Sequence, residues 1–482
     1  MTRPNLLLVV PDGMQAQTTF PESPCRTPNA DRIAERGLRF RRAYTVQSTC
    51  SPARASLMTG VLPHNHGVLQ AEHTVDDDQC VLRTGYPHWA QRLGDAGYRT
   101  AYFGKWHIER SNDLRRFGWQ EGGSDHAAAQ RALGAGVTAT ADLLDGSDPV
   151  RYDEGPEGYR RVLHYAATPV PTGRRPFAAT TRAAQAFVES AVAGGGPWAC
   201  CVSFAEPNVP LVANRDAYRA YDLDAIDLPA SLGDTFAGSP VFYRRQREVF
   251  GAVGERECRQ ARAVYYALIG ELDAQVGALL DQLERLGVLD DTIVVFMSDH
   301  GRYVGAHGFD AHNFGPFEEA YRIPLVVAGP GVTGPGVVAD SDVDAIVSLA
   351  DVAPTLLELT GAAPIDAPDS RSFADLLRDP VGAAAHHDSA YAESCGNRFL
   401  MTQRILWQGT WKFVFNGFDY DELYDLENDP DELVNLGADP RHAQRRRDMM
   451  AEIWRRARAT GDRSILDTHF APMRIAAVGP EL

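Results

Sequence analysis

Four short apolar segments, each followed directly by polar residues, constrain the fold of this chain more than any other sequence feature. They cover residues 5–10, 98–103, 198–204 and 292–297. None alternates apolar with polar residues, which is typical of strands buried on both faces of a parallel sheet. A helical pattern separates them, most clearly over residues 261–286, before Gly287. We therefore predict an α/β fold with a large mixed, mostly parallel sheet sandwiched by helices.

The pattern changes beyond about residue 383. Residues 404–415 are typical of a two-stranded hairpin, and residues 440–459 have the spacing of a basic amphipathic helix. We expect a smaller C-terminal α+β subdomain, with a four-stranded antiparallel sheet plus a helix. The predicted division is a catalytic domain over 1–382 and a C-terminal subdomain with a tail over 383–482.

Polar side chains follow each of the four apolar segments. They are Asp12, Lys105, His107, Asn208, Asp299 and His300. The carboxyl ends of parallel strands meet at one edge of a sheet, and ligands bind beyond that edge. We therefore expect these side chains to line one site.

The chain is acidic, with a formal net charge of −17 from 47 Lys+Arg against 64 Asp+Glu. This charge argues against nucleic acid and against a membrane as partners, so an anionic ligand would need a local cationic pocket. Only Lys105 and Lys412 are lysines. Ammonium and guanidinium groups are not interchangeable, so a lysine at a strand end of this arginine-rich chain indicates function. Chance explains Lys412 equally well.

The cysteines indicate a reducing compartment. There are seven, at positions 25, 50, 80, 200, 201, 258 and 395, and no C-x-x-C pair occurs. Neither a disulfide framework nor a structural zinc site is therefore indicated. The N-terminal apolar run is too short for a signal peptide, and no apolar stretch reaches the roughly 18 residues of a transmembrane helix. We expect a cytoplasmic protein, and the sequence leaves an oligomer open.

The sharpest motif is CSPAR, from Cys50 to Arg54. Thr49 or Ser51 can cap a helix and Pro52 suits a first turn, so Cys50 is predicted at a helix N-terminus, where backbone N–H groups favour an anion. Arg54 follows one turn later on the same face, where it could clamp an oxyanion. An isolated cysteine is more often a buried structural residue, but Arg54 favours a functional interpretation.

The chain resembles the sulfatase family, within the alkaline phosphatase superfamily of metal-dependent hydrolases. C-x-P-x-R is the modification signature of that family. Further family segments occur in the family's order along nearly the whole chain: PDG at 11–13, GKWH at 104–107, MSDHG at 297–301, GAHG at 305–308, FEEAYRIPLVVAGPG at 317–331, DVAPTLLELTG at 351–361 and LYDLENDPDELVNL at 423–436.

The resemblance implies that Cys50 is oxidised to formylglycine by a formylglycine-generating enzyme during maturation. A hydrated aldehyde offers two hydroxyls on one carbon. One attacks the sulfur of a sulfate ester and releases the alcohol; the second is then deprotonated, and the hemiacetal expels sulfate by C–O cleavage. A serine could form the first intermediate but lacks the second hydroxyl.

The resemblance also implies one divalent metal ion, held by Asp12, Asp299, His300 and the modified Cys50. The metal would lower the pKa of the attacking hydroxyl and polarise the sulfuryl oxygens. Oxygen ligands favour Ca²⁺, whereas a histidine at position 300 keeps Mn²⁺ or Zn²⁺ as alternatives. The family's second N-terminal aspartate is replaced by Gly13, so a water or another side chain would complete the shell.

By the same resemblance, Lys105 and Arg54 bind the sulfate, Lys105 also binds the nucleophile, and His107 is the base that collapses the hemiacetal. Lys105 and His107 are two residues apart in a segment expected to be extended. Their side chains should therefore point to the same side.

Two departures from the family pattern affect the leaving-group side. Asn208 stands where the family has a histidine, and Asn313 lies close to where it has a lysine. Both asparagines are expected to bind substrate. His312 is our candidate for the acid that protonates the leaving oxygen, ahead of His307, because imidazole suits proton transfer near neutrality. Alternatively, the leaving group needs no acid.

We therefore predict a sulfuric ester hydrolase that cleaves the sulfate monoester of a sugar, an aryl or a small alkyl alcohol. Residues 122–176 and 206–245 are predicted loops and insertions of the kind that set specificity. The first alternative is a phosphonate monoester or phosphodiester hydrolase, because this superfamily exchanges sulfuryl and phosphoryl centres in one site. The second is a non-catalytic member that only binds an anion, given Gly13, Asn208 and Asn313.

Overall fold

The computed structural model describes residues 3–76, 82–83, 85–111, 113–123, 142–153, 157–250, 253–309, 313, 315–333, 337–396, 401–469 and 474–480. Its strands are β1 (Asn5–Val10), β2 (Gly37–Tyr44), β3 (Arg99–Gly104), β4 (Glu121–Gly123), β5 (Val150–Asp153), β6 (Val162–Thr168), β7 (Trp198–Ser203), β8 (Leu211–Asn214), β9 (Thr292–Met297), β10 (Arg322–Ile323), β11 (Leu325–Ala328), β12 (Ser341–Ser348), β13 (Ser389–Ser394), β14 (Gln403–Gln408), β15 (Trp411–Asn416) and β16 (Glu422–Asp425). Its α-helices are α1 (Pro28–Ala34), α2 (Cys50–Thr59), α3 (Pro63–His66), α4 (Trp89–Asp95), α5 (Pro176–Gly194), α6 (Arg215–Arg219), α7 (Val241–Phe250), α8 (Glu255–Arg285), α9 (Glu318–Tyr321), α10 (Val352–Thr360), α11 (Ala374–Arg378), α12 (Ala443–Thr460) and α13 (Arg463–Leu466).

A nine-stranded sheet forms the centre of the protein. Its order is β10-β2-β11-β9-β1-β7-β3-β4, and β12 pairs in parallel with β2. Strands β9, β1, β7, β3 and β4 are mutually parallel, whereas β10 and β11 run antiparallel to β2. The predicted large mixed, mostly parallel sheet is confirmed. No helix within the described ranges is long and apolar enough to cross a membrane.

Two apolar clusters cover the opposite faces of this sheet. In β1, Leu6 and Leu8 belong to one cluster and Leu7 and Val9 to the other, because successive strand side chains alternate between faces. Helices α2, α4 and α10 pack on the first face, and α1, α5 and α8 on the second. Burial on both sides explains the unbroken apolar strand segments.

A second, three-stranded sheet lies within the region predicted as loops. Strand β5 pairs antiparallel with β6, and β6 pairs in parallel with β8. The loop prediction is therefore wrong over β5 and β6 within residues 122–176, and over β8, α6 and the start of α7 within residues 206–245. Of the first range, residues 124–141 and 154–156 lie outside the described residues. Buried Tyr165 and Ala167 of β6 join the apolar cluster that contains α8. Strand β6 thus pairs with the nearby β5 on one side and with the distant β8 on the other.

The C-terminal part contains a four-stranded antiparallel sheet in the order β13-β14-β15-β16. Helix α12 packs on it through Met450 and Trp454, which share an apolar cluster with Leu406 and Phe413. The predicted hairpin and amphipathic helix are confirmed. The division of the chain at residue 382 stays a prediction.

Lys412 of β15 links this sheet to the segment that contains Pro316. The side chain is fully buried, its Nζ donates to the Pro316 carbonyl at 2.8 Å, and it forms an ion pair with Glu432. Glu432 in turn accepts from the backbone N–H of Glu318 at 2.7 Å. The segments that carry Glu318 and Glu432 belong to two of the family motifs, so this motif pair has a structural role here.

We expect a histidine at the same junction to make stability depend on pH. His64 of α3 places Nδ1 2.5 Å from Glu393 of β13 and Nε2 3.1 Å from the Thr460 carbonyl. Burial alone would lower the pKa of His64, but its contacts with Glu393 outweigh burial and raise the pKa to about 9. This stabilisation is fully present below the ordinary histidine pKa of about 6.5 and is lost as the pH rises through about 9.

In wild-type protein the free energy of unfolding should therefore fall by up to about 3 kcal/mol across that window. Urea unfolding at a series of pH values would measure this fall in the free energy of unfolding. The His64→Gln variant should lack this component, so a wild-type-minus-variant difference that stays constant between these pH values would contradict the assignment.

Candidate active site

Two adjacent central strands deliver two aspartates and a histidine to one point. Asp12 follows β1, Asp299 and His300 follow β9, and β1 pairs with β9 along its length. The side chains of Asp12 and Asp299 are fully buried, and that of His300 nearly so. His300 Nε2 lies 3.7 Å from Asp12 Oδ1 and 3.9 Å from Asp299 Oδ1. The parallel topology has placed three candidate metal ligands together, as the sequence predicts.

Cys50 begins α2 and faces this cluster. Its Sγ lies 3.1 Å from His300 Nε2 and 3.7 Å from Asp12 Oδ1. Thr49 precedes the helix in an extended conformation, but its side chain makes no capping hydrogen bond. Cys50 is thus at a helix N-terminus, as predicted. Thr49 occupies the predicted N-cap position but does not cap the helix with its side chain.

Arg54 connects both aspartates. Its NH2 lies 3.0 Å from Asp12 Oδ2, its Nε lies 2.8 Å from Asp299 Oδ2, and its NH1 donates to Ser203 Oγ at 2.6 Å. The guanidinium is almost completely buried. Burial would lower the pKa of Arg54, but Asp299 and Asp12 raise it above its ordinary value. Arg54 therefore stays charged and holds the two carboxylates in place.

Lys105 reaches the same carboxylate from β3. Its Nζ lies 2.6 Å from Asp12 Oδ2, and its backbone N–H donates to the Ser203 carbonyl at 2.9 Å. Gly104 permits this close approach, because it has φ +101° and a Cβ there would collide with the Ser203 carbonyl oxygen. The end of β3 can thus direct the ammonium group into the site.

The donor set fits a divalent cation. Asp12, Cys50, Asp299 and His300 each offer one ligand atom, and these atoms lie within 4.8 Å of one another. The other ring nitrogen of His300, Nδ1, lies 2.8 Å from the Gly301 carbonyl, which directs Nε2 to the cluster as in histidine metal ligands.

The charges around the cluster act differently on Asp12 and on His300. Burial would raise the pKa of Asp12, but Lys105, Arg54 and His300 hold it well below its usual range. Burial would lower the pKa of His300, but Asp299, Cys50 and Asp12 raise it to about 10. The negative groups that raise the pKa of His300 would also favour a metal ion at Nε2, where the metal would take the place of the proton.

Gly13 explains how the site is built without the family's second aspartate. It has φ +75°, a left-handed conformation that a side-chain residue rarely adopts. Its N–H lies 3.2 Å from Asp299 Oδ1 and donates to it. The backbone at this position therefore orients Asp299, a candidate metal ligand, and Gly13 supplies no side-chain ligand of its own.

His107 lies beside the cluster and not inside it. Its Nδ1 is 3.5 Å from Ser51 Oγ, and its Nε2 is 3.0 Å from His73 Nδ1. Its φ of +51° departs from the extended conformation expected for this segment. Burial and the charge of Lys105 lower the pKa of His107 to about 2, so the imidazole is neutral at neutral pH.

Asn208 contacts the core of the site. Its Nδ2 donates to Asp12 Oδ1 and lies 3.6 Å from Cys50 Sγ. Its Oδ1 accepts from Arg302 NH1 at 2.7 Å. Because Arg302 fixes the amide oxygen, the amide NH₂ is turned toward the position of the candidate nucleophile.

The remaining predicted residues occupy three different environments. Asn313 lies behind His300, where its Nδ2 is 3.0 Å from the Ser48 and Gly301 carbonyls. His307 is fully buried: it stacks on Phe317 at 3.7 Å and its Nδ1 pairs with Asp234. His312 lies outside the described residues.

Several contacting residues escaped the sequence analysis. Ser203 is the last residue of β7, and Arg302 comes after the polar residues that follow β9. Glu72 and His73 lie in a short helical turn beside His107. Arg302 directly follows the MSDHG segment, and this position was the one available signal. The other three carry no local pattern.

Comparison with known protein families gives two matches. A family profile described as "Sulfatase" matches residues 4–362. A profile described as "N-sulphoglucosamine sulphohydrolase, C-terminal" matches residues 305–459. The first of these covers most of the chain.

The chain is also similar to individual proteins. It is 29% identical to a choline-sulfatase of Rhizobium meliloti, over 91% of this chain and 83% of that protein. It is 28% identical to a multifunctional alkaline phosphatase superfamily protein, PehA, of Trinickia caryophylli, over 98% of both chains. The crystal structure of a phosphonate monoester hydrolase of Agrobacterium radiobacter matches with a TM-score of 0.75 at 22% identity, covering 95% of this chain and 96% of that one.

Proposed function

This chain belongs to the sulfatase family of the alkaline phosphatase superfamily, and from that premise we propose that it cleaves a sulfate monoester through formylglycine at position 50 and one divalent metal ion. Membership makes it a hydrolase of sulfuric ester bonds. The proposed substrate is the sulfate ester of a sugar, an aryl or a small alkyl alcohol. The nucleophile, the metal and the residue roles are the parts that we propose.

One observation carries the proposal. The Sγ of Cys50 lies within 3.7 Å of both Asp12 Oδ1 and His300 Nε2, although these residues come from three distant parts of the chain. A cysteine with only a packing role has no need of a carboxylate and an imidazole around its sulfur. The arrangement instead suits a nucleophile beside a cation.

Each side chain then has a defined task. Asp12, Asp299 and His300, with the modified residue 50, would hold the metal, which supplies Lewis acidity and favours the deprotonated nucleophile. Ca²⁺ is the proposed ion, with Mn²⁺ or Zn²⁺ as alternatives because of the imidazole ligand.

Lys105 and Arg54 neutralise the sulfate charge inside an acidic protein. His107, which is neutral at neutral pH, accepts the proton from the second hydroxyl at position 50. Asn208 donates a neutral hydrogen bond to substrate where the family uses a histidine. Asn313 holds the His300 ring through the neighbouring carbonyls, so we propose a positioning role for it.

Mass spectrometry of the tryptic peptide 43–54 tests the modification. Protein produced with a formylglycine-generating enzyme should carry an aldehyde in place of the Cys50 thiol, and turnover should increase with the converted fraction. Protein produced without that enzyme is the matched control. Full activity in protein with an unmodified thiol would overturn the proposal.

A second candidate activity is hydrolysis of phosphonate monoesters or phosphodiesters. The similarity in fold to the phosphonate monoester hydrolase of Agrobacterium radiobacter, together with the candidate imidazole ligand at position 300, supports it. A panel of sulfate monoesters, phosphonate monoesters and phosphodiesters, assayed on one preparation, separates the two. The larger kcat/KM identifies the main activity. No turnover of any ester with any of the three metals would leave the non-catalytic, anion-binding alternative.

The acid role proposed for His312 predicts a dependence on the leaving group. The His312→Ala variant should be slowed far more on alkyl sulfates than on nitrophenyl sulfate, because a good leaving group needs little protonation. Rates on a series of sulfate esters, plotted against the pKa of the leaving alcohol, measure this. The His386→Ala variant, at an exposed histidine, is the control. Equal losses on all esters would remove His312 as the acid.

A further inference from the structure

A second group of side chains that could bind a metal ion lies next to the site already described. It consists of Glu72, His73 and His107, whose ligand atoms lie within 4.8 Å of one another. We propose that these three side chains bind a zinc-class cation of their own, separate from the ion proposed at the strand ends. Neither the family signature nor the mechanism above assigns a ligand role to Glu72 or His73.

The distances within this group match a tetrahedral site. His73 Nδ1 lies 3.0 Å from His107 Nε2, and Glu72 Oε1 lies 3.6 Å from the same nitrogen. Zinc bonds of about 2.0–2.1 Å in tetrahedral geometry place neighbouring ligand atoms roughly 3.3–3.4 Å apart. The two measured separations lie on either side of that value. Two imidazole nitrogens and one carboxylate oxygen are also a donor set that zinc takes, with a fourth position open.

Ser51 holds two of the three ligands in place. Its Oγ accepts from the Glu72 backbone N–H at 3.0 Å and lies 3.5 Å from His107 Nδ1. A metal-binding histidine usually donates from its other ring nitrogen to an oxygen of the protein. Ser51 Oγ provides that oxygen, which leaves the lone pair of His107 Nε2 directed at Glu72 and His73.

The surrounding charges predict a site that binds its metal ion reversibly and exchanges it with the solvent. Arg110 Nε lies 3.5 Å from Glu72 Oε2, and Lys105 is close enough to lower the pKa of His107. The positive charges of Arg110 and Lys105 would weaken the binding of a divalent cation. His73 is exposed to solvent. We therefore expect weaker binding than at a structural zinc site, with direct access from solvent.

Occupancy of this site would control the reaction. This consequence rests on the proposed function, in which His107 is the base. An ion on Nε2 takes a lone pair of the imidazole and lowers its basicity, so zinc should inhibit the step that releases sulfate. The binding site itself does not depend on that role.

The first experiment measures binding without turnover. Full-length protein loaded with its strand-end metal is dialysed against increasing ZnCl₂, and bound zinc is counted by mass spectrometry. Wild-type protein should bind one more zinc ion than the His73→Ala and Glu72→Gln variants do. Their affinity for that ion should fall by roughly a hundredfold, since even an outer partner of a ligand is worth about 10- to 100-fold. The His386→Ala variant should match wild type.

The same comparison with Co²⁺ would show a tetrahedral visible absorption band in wild type and not in His73→Ala. Equal zinc counts and affinities in all four proteins would overturn the proposal and reduce the His73–His107 contact to a hydrogen bond.

An activity measurement tests separately whether zinc at this site inhibits the reaction. Zinc inhibition, expressed relative to each variant's own zinc-free rate, should require roughly a hundredfold more zinc in His73→Ala than in wild type. Failure of all esters to turn over would refute the proposed function, while the zinc count would still decide the site.

Discussion

The Cys50→Ala variant is expected to lose turnover by about 10⁴-fold or more, since removal of a nucleophile from a cooperating site has effects of this order. Arg54 and Lys105, with a metal ion held by the two aspartates, can bind and neutralise sulfate but cannot form the covalent ester. The fold should persist, because Cys50 is only partly buried and lies at the first position of α2. Initial rates on a nitrophenyl sulfate and thermal unfolding by circular dichroism would measure both.

Two matched variants sharpen this result. Cys50→Ser keeps one hydroxyl and lacks the second, so it should release at most one equivalent of alcohol and retain sulfate on the serine, visible by mass spectrometry. Cys395→Ala, at another partly exposed free cysteine, should keep full activity. Appreciable turnover in Cys50→Ala would refute the nucleophile assignment.

The Asp12→Asn variant should show the second largest effect, on both activity and stability. One oxygen of Asp12 contacts Arg54 and Lys105, and the other lies 3.7 Å from His300 Nε2. Loss of the charge leaves two buried cations with less compensation, which typically destabilises a protein by about 3–5 kcal/mol. We expect turnover to fall by about 10³-fold, because a metal ligand is lost together with the orientation of Lys105.

Metal content, urea unfolding and turnover should be measured on the same Asp12→Asn sample. The control is Asp281→Asn, whose carboxylate is 68% exposed and pairs with Arg32 at the surface. Such a surface pair contributes only about 0–1 kcal/mol. An Asp12→Asn protein that keeps its metal and its activity would remove Asp12 from the ligand set.

The strands that carry the site could be read from the sequence because their signal is local. Strands β1 and β9 cover the predicted residues 5–10 and 292–297, and each is an unbroken apolar run that burial on both faces requires. The meeting of Asp12 with Asp299 then follows from parallel pairing alone. Helix α8 begins at Glu255, earlier than the predicted residue 261, because its first six residues are polar except for the buried Cys258 and so show little apolar periodicity.

The contacts that could not be predicted from the sequence are those between distant segments of the chain. Strand β6 pairs with β8 more than forty residues later, so no periodicity within residues 122–176 reveals it. Likewise, the hydrogen bond from Arg302 to Asn208 and the contact of His73 with His107 depend on how loops meet. The left-handed backbone at His107 also overrides the extended geometry that its neighbours suggest.

The three-stranded sheet gives the substrate-facing loop a second anchor. The segment that carries Asn208 leaves the central sheet after Ser203 and is fixed again at Leu211, where β8 pairs with β6. Because Asn208 contacts Asp12 and lies near Cys50, a mutation in β6 can alter the site without replacing any residue in it. Under the proposed function, a directed-evolution library placed in β6 would measure whether selectivity among sulfate esters changes with that strand.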